Sequence, residues 1–254
     1  MVLASQEPNW EPPSPFDGSC EYVNRIQEFA GRWQSLHTLY SLPPAEERCH
    51  DLLNIRNIQA IRNRLLLVKF LLKEQFSILW GRQDLRILEI AAGSAQAVIE
   101  VMAETSQKKP GVQALLLDFD STALDHAVML ADQWGVKERI ETVTADALRS
   151  LKIIDEFKPD LIEMVGLADY LPDALLLRLL KRFYTWLPTG GILIIGNVIP
   201  GNPEQAFIER IYKWPEMVYR TVEEFKNLIL KAGFLECTIT TEPHNIHAVA
   251  VVHK

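Results

Sequence analysis

From residue 85 onward, short apolar runs alternate with helical segments, and few folds accommodate that order. The runs are LRILEI (85–90), VQALLLDF (112–119), IETVT (140–144), DLIEMV (160–165) and GILIIGNV (191–198). Helical stretches lie between them, near 95–106, 121–134, 147–156 and 173–187. A strand that is apolar along nearly its whole length is buried on both faces, so helices must cover it above and below. The alternation therefore predicts an α/β fold with a doubly wound, mainly parallel sheet. Asp120 or Ser121 can cap the second helix, and Gly135 can end it.

The alternation stops near residue 200. Asn202-Pro203-Glu204-Gln205 and Thr221-Val222-Glu223-Glu224 have capping-box spacing, so helices are expected to begin there. Gly233 ends the second of them. FLECTITT (234–241) and NIHAVAVV (245–252) follow, joined by only Glu242, Pro243 and His244. Such a link permits a hairpin but no parallel crossover. Seven strands are thus expected, with an antiparallel hairpin at the C-terminal end of the sheet.

The first half of the chain has another character. Residues 1–20 contain Pro8, Pro12, Pro13 and Pro15 and form an extended arm. Residues 21–80 hold no glycine between Gly31 and Gly81, and they form an N-terminal helical lid broken at Pro43 and Pro44. The sheet domain occupies 81–254.

Composition excludes several function classes. The chain has 254 residues, enough to bury a core without metal or disulfide support. A net charge of −7 argues against nucleic acid as the main partner, since phosphate binding needs a basic face. Leu65–Leu72 is the longest greasy stretch, too short to span a membrane and interrupted by Lys69. The first residues lack the basic start and apolar core of a signal peptide. Cys20, Cys49 and Cys237 are too few and scattered for a disulfide framework or a zinc knuckle. These features predict a reducing compartment, most simply the cytoplasm, with no membrane partner and no metal. Nothing in the sequence indicates the oligomeric state.

In an open α/β sheet, ligands sit beyond the carboxyl ends of the strands. Three features fall there. Glu89-Ile90-Ala91-Ala92-Gly93-Ser94-Ala95 ends the first strand with small residues that allow close approach to the backbone. A packing turn needs small residues too, and the spacing is not GxGxxG. Asp118, followed by Phe119, ends the second strand, where a carboxylate can accept both hydroxyls of a ribose; a helix cap is the bland alternative. Asp146, followed by Ala147, comes after the third strand, where it can accept an adenine amino group or cap a helix.

Together the three describe an adenosine pocket. The constellation resembles class I S-adenosylmethionine-dependent methyltransferases over roughly residues 60–254. Glu89 matches the acid of that family's first motif and Gly93 its central glycine; Ala91 and Ala95 stand where outer glycines are usual. The resemblance implies S-adenosyl-L-methionine as cofactor. It implies Glu89, Ala91, Gly93, Asp118, Phe119, Asp146, Ala147 and Val165 as its binding residues. Gly166–Leu171, Gly196-Asn197 with Asn202-Pro203, and Trp214 to Thr221 are vaguely similar to bacterial methyltransferases linked to fatty-acid methyl ester synthesis.

Substrate groups are expected at the fourth and fifth strand ends and from the lid. Asp169, Asn197, Trp214 and Arg220 are the substrate-binding candidates, and Tyr170 and Tyr219 the catalytic ones. Packing accounts equally for Trp214 and Tyr219, and a surface ion pair for Arg220. Among Arg56, Arg62 and Arg64, one can bind the cofactor's carboxylate, although a solvated helix face also explains all three. His244 and His247 flank the terminal hairpin and are assigned a surface or core role. The expected activity is methyl transfer to a small molecule, at a carboxylate or hydroxyl oxygen. A cofactor-binding module without catalysis and a nicotinamide-dependent oxidoreductase are the alternatives.

Overall fold

The computed structural model describes residues 20–40, 50–79, 84–105, 111–149 and 151–254. The arm up to residue 19, Pro43, Pro44 and Gly81 lie outside them. The strands are β1 (Leu85–Ile90), β2 (Val112–Asp118), β3 (Ile140–Thr144), β4 (Leu161–Met164), β5 (Ile192–Val198), β6 (Glu236–Thr241) and β7 (His247–His253). They form one sheet in the order β3-β2-β1-β4-β5-β7-β6.

β1 to β5 are parallel, and β7 pairs antiparallel with both β5 and β6. The hairpin expectation holds, with one refinement. The last strand inserts between β5 and β6, so β7 alone runs against the others. The strand order reverses between β1 and β4, which are neighbours although β2 and β3 separate them in sequence. That reversal opens the crevice in which such sheets bind ligands.

The helices are α1 (Glu21–Glu28), α2 (Trp33–Tyr40), α3 (Arg56–Ile78), α4 (Gln96–Thr105), α5 (Ser121–Gln133), α6 (Leu151–Phe157), α7 (Asp173–Trp186), α8 (Gln205–Ile211) and α9 (Val222–Lys231). Val68, Leu72 and Phe76 of α3 pack with Val98 of α4 and Leu124 of α5 on one sheet face. Leu176 and Phe183 of α7 pack with Phe225 and Ile229 of α9 on the other. Both faces are therefore covered, which is why the central strands are apolar throughout.

A further core belongs to the N-terminal helices. Val23, Ile26, Leu39, Ile58 and Ile61 enclose Phe207, Ile208 and Tyr212, so α8 packs among them. The Glu204 carboxylate accepts from the Asn57 and Arg56 backbone N–H groups at 2.7 and 3.2 Å. A carboxylate at a helix N-terminus is favoured by the unpaired amides and the dipole. It ties α3 to the segment after β5.

Three local expectations are corrected. Asn202 Oδ1 accepts from Glu204 N–H in a turn, and α8 begins only at Gln205. At Thr221 both capping-box bonds are present. The helix expected from residue 147 begins at Leu151, because the chain first turns at Asp146. Cys20 is disulfide-bonded while Cys237 is a free thiol, a crosslink that cysteine spacing did not reveal. Among the described residues, no helix is long and apolar enough to cross a membrane.

Candidate active site

The turn after β1 is built on an unusual backbone. Ala91, Gly93 and Ala95 all have left-handed φ values, of 54°, 54° and 51°. Glycine takes this conformation freely, whereas alanine pays roughly 1–2 kcal/mol for its Cβ. The turn thus keeps a three-glycine backbone with two alanines in it. Asp118 holds it: Oδ2 accepts from Gly93 N–H and Oδ1 from Asp120 N–H, both at 2.9 Å.

One cavity lies beside this turn at the ends of β2 and β3. Ala91, Asp118, Phe119, Asp146 and Ala147 line it together with Leu148. Five of the sequence-predicted residues thus share one wall. The Phe119 ring is 78% exposed, leaving a face for a flat ligand. Asp146 Oδ1 accepts from Leu148 N–H at 2.8 Å, so it also caps the turn.

A second cavity lies on the other side of Ala91, lined by Glu89, Gly93, Glu163, Val165, Arg64 and Tyr40. Glu89 and Glu163 stand opposite each other in the β1–β4 register, and both are buried. Burial, then the repulsion of Glu163 and Asp118, raises Glu89 well above the ordinary carboxylate range. Burial raises Glu163 too, against the pull of Arg64. The two carboxyls hydrogen-bond to each other, and their burial favours the protonated form. Glu89 Oε2 is buried without a partner. Arg64, only 6% exposed, bonds Tyr40 and lies 3.7 Å from Asp169 Oδ2.

Helix α2 roofs this cavity. Trp33 stacks on His126 of α5 with ring centroids 4.5 Å apart, and its Nε1–H donates to Thr122 Oγ1 at 3.1 Å.

The third hollow continues from Arg64 toward β5 and β7. Asp169, Tyr170, Trp214, Met217 and His247 line it with Arg64. Asp169 Oδ1 accepts from Val198 N–H at 2.7 Å; burial raises its carboxyl, and Arg64 opposes the rise. Trp214 Nε1–H donates to the Tyr170 hydroxyl at 3.0 Å. Burial, then the nearby Asp169, pushes that hydroxyl up to about 12.

Three other candidates are not brought into any of these cavities. Arg220 is buried and fully engaged. Its Nε donates to Asp173, Nη1 to Ala168 O and Asn197 Oδ1, and Nη2 to Leu171 O, at 2.5–3.0 Å. Asn197 is its partner. Tyr219 packs with Ala60, Val198 and Ile246, and its hydroxyl is pushed up by burial. Arg220 and Asn197 therefore hold the 168–173 loop in place and leave no free donor for a substrate.

The first two cavities suit one composite ligand. A flat base fits against Phe119, and hydroxyls of a sugar fit the remaining lone pairs of Asp118. The acid pair and orphaned Glu89 Oε2 fit an ammonium, and buried Arg64 a carboxylate. An amino acid joined to adenosine has these groups in this order.

A family model described as "putative methyltransferase" matches residues 49–254. The chain belongs to this methyltransferase family. Searching curated proteins by sequence gives no match. Solved structures share the methyltransferase's fold at low identity. A Bordetella parapertussis protein described as a possible exported protein is 19% identical, with a TM-score of 0.75 over 92% of this chain and 86% of its own. A Nostoc punctiforme protein described as a putative O-methyltransferase is 18% identical, with a TM-score of 0.59 over 92% and 70%. The Synechocystis magnesium protoporphyrin IX methyltransferase, solved with bound S-adenosylhomocysteine, is 10% identical, with a TM-score of 0.63 over 92% and 100%.

Sequence reasoning passed over Glu163, and the core role expected for His247 agrees with its burial. Glu163 sits within an apolar strand run, and a charged residue there was the signal to heed. Arg64 could not be told from Arg56 and Arg62 by spacing. Arg56 is exposed and Arg62 donates to Leu39 O and Leu53 O, whereas Arg64 reaches two cavities.

Proposed function

We propose that this methyltransferase uses S-adenosyl-L-methionine to methylate a small molecule at oxygen. The observation that carries the reading is the chain of three cavities along the β1–β4 crevice, with Arg64 shared by the second and third. Bound there, S-adenosylmethionine supplies a methyl group already activated by its sulfonium. Glu89, Ala91, Gly93, Asp118, Phe119, Asp146, Ala147 and Val165 bind it, with Glu163 and Arg64 at its amino-acid end. Asp169 and Trp214 contact the acceptor, and Tyr170 orients it through the hydroxyl that Trp214 holds.

What remains for the protein is alignment and water exclusion, which contribute several kcal/mol to such reactions. The lid is built for that. Trp33, Leu36 and Tyr40 close over the second cavity, and Leu36 and Ile61 over the third. A hollow enclosed by helices suits a small acceptor better than a macromolecule. The net charge of −7 supports the same choice. The neighbour described as an O-methyltransferase supports oxygen as the target.

Calorimetry with S-adenosylhomocysteine and NAD, followed by a radiolabelled methyl assay on small acceptors, RNA and protein, tests the reading. Binding of the first ligand alone and label on a small oxygen acceptor are expected. Label on RNA or protein only would overturn it. The cytoplasmic address has one opposing observation: Cys20 is disulfide-bonded, and such bonds persist mainly in oxidising compartments. Cell fractionation decides between them.

A further inference from the structure

Helix α2, which roofs the second cavity, is joined to α5 of the sheet domain through three aromatic side chains. The Trp33 and His126 rings stack with their planes 28° apart. His37, one turn further along α2, meets the His126 ring edge-on, with centroids 4.7 Å apart. His126 is therefore held between two residues of the roof. The Thr122 hydroxyl that accepts from Trp33 donates in turn to Asp120 Oδ1 at 2.7 Å.

This contact carries a polar defect. His37 Nδ1 and His126 Nε2 are both buried without a hydrogen-bond partner. A neutral imidazole can leave such a nitrogen as a bare acceptor, at a cost of roughly 1–3 kcal/mol. A protonated imidazole makes both of its nitrogens donors, and a charged donor buried without an acceptor costs more. An imidazolium against Trp33 gains a cation–π attraction of about 1 kcal/mol, less than that burial costs.

The charges around the two rings act in the same direction. Burial, then Arg25 of α1, lowers the proton affinity of His37. Burial, then His37 itself, lowers that of His126. On α3, Arg62 is committed to the Leu39 and Leu53 carbonyls and Arg64 to Tyr40. On α5, Asp120 caps its own helix and Asp125 is exposed. Among the described residues, no carboxylate reaches either orphaned nitrogen.

We propose that Trp33, His37 and His126 form an acid-sensitive latch, which holds α2 over the second cavity while both imidazoles are neutral and releases it when either is protonated. Its effect on the cofactor rests on the methyltransferase reading above. Trp33, Leu36 and Tyr40 of α2 line the cavity assigned to the amino-acid end. Release of α2 opens that cavity and withdraws Tyr40 from Arg64.

The direction follows from linkage. In the released state each ring regains water and its ordinary proton affinity, near pH 6.5. Closure is fully favoured above that value and loses ground as pH falls through it toward the lowered values of the closed rings. At pH 5.5, one ring that must stay neutral weakens closure about tenfold, and two such rings up to about a hundredfold.

Hydrogen exchange read by mass spectrometry tests the latch in the unliganded wild-type protein at pH 7.5 and 5.5, after correction for the chemical exchange rate. Protection of α2 should fall about tenfold or more on acidification, while that of α4 stays within about twofold. The double variant His37→Phe/His126→Phe keeps an aromatic ring at both positions with nothing to protonate, and its α2 should show no such loss. Calorimetry then gives S-adenosylhomocysteine affinity for both proteins at both pH values. Acid also protonates the carboxyls at the ammonium site in each protein, so the quantity compared is the ratio of affinities at the two pH values. The wild-type ratio should exceed that of the variant by about fivefold or more. Unchanged α2 protection in the wild type, a loss shared with α4, the same α2 loss in the variant, or equal affinity ratios would each overturn the proposal and leave cofactor use standing. The wild-type exchange measurement decides even where the variant does not fold. A wild-type protein that binds no S-adenosylhomocysteine at either pH would instead overturn the underlying function, and the exchange data would still judge the latch.

Discussion

The two halves of the crevice are built by different means. At the ends of β1 to β3, the site is made from contiguous strand–turn–helix units. Glu89 and Asp118 lie at the ends of β1 and β2, the 91–95 turn and Phe119 follow those strands directly, and the backbone does much of the shaping. At the ends of β4, β5 and β7, the hollow is assembled from Arg64, Asp169, Trp214 and His247, which lie on four separate segments. The first half depends on local conformation, and the second on packing that brings distant side chains together.

Arg220 tests this contrast most severely. It lies outside the third hollow yet fastens the loop that carries Asp169 and Tyr170. Replacing it by methionine leaves two backbone carbonyls and Asn197 without their donor. A loss of about 3–5 kcal/mol is expected in urea unfolding. A variant as stable as the wild type would show that the acceptor half is not held by packing.

In the cofactor half, Asp118→Ala should weaken S-adenosylhomocysteine binding by about 2–3 kcal/mol, or roughly 30–150-fold. The variant should also unfold earlier, because Gly93 and Asp120 lose their acceptor. Calorimetry and thermal melting measure both. Unchanged affinity would remove Asp118 from the site.

Glu163→Gln separates stability from binding. Burial raises the wild-type carboxyl pair in the folded state, so its folded form holds more protons than its unfolded form. That contribution is present below the unfolded carboxylate range and is lost as pH rises through the raised values. The variant should therefore melt higher than the wild type at about pH 8, with little difference near pH 4. It should also bind S-adenosylhomocysteine more weakly, having lost a partner for the ammonium. A lower melting temperature at pH 8 would contradict the upward shift of the two carboxyls.

The cofactor half was the more legible in sequence for the same physical reason. Strand runs and short turns are local, and the observed strand limits fall within about two residues of the expected ones. Small residues at 91, 93 and 95 indicated a tight turn. Their shared left-handed backbone could not be known, since two of them are alanine. Arg64, Glu163 and His247 depended on which face a long helix turned inward and on where the last strand inserted. Those are tertiary facts. Arg220 and Asn197 looked like ligands for substrate because Asn197 stands at the end of the fifth strand and Arg220 is a cation in the connection before the next helix. Here they bond to each other and to the loop.

The smallest effect concerns that turn. Ala91→Gly and Ala95→Gly should each relieve strain and stabilise the fold by about 1 kcal/mol or less, the gain being offset in part by glycine's greater unfolded-state entropy. Paired urea titrations measure it. A loss of stability at either position would mean that the methyl group packs more than it strains.

The central claim, that the β1–β4 crevice holds an adenosyl amino acid reaching toward the acceptor hollow, is tested most directly by a crystal structure with S-adenosylhomocysteine. The base should lie against Phe119 and Ala147, the ribose on Asp118, and the amino-acid end between Glu89, Glu163 and Arg64, with sulfur facing the third hollow. A ligand bound elsewhere, or turned so that its sulfur faces away from that hollow, would contradict the account.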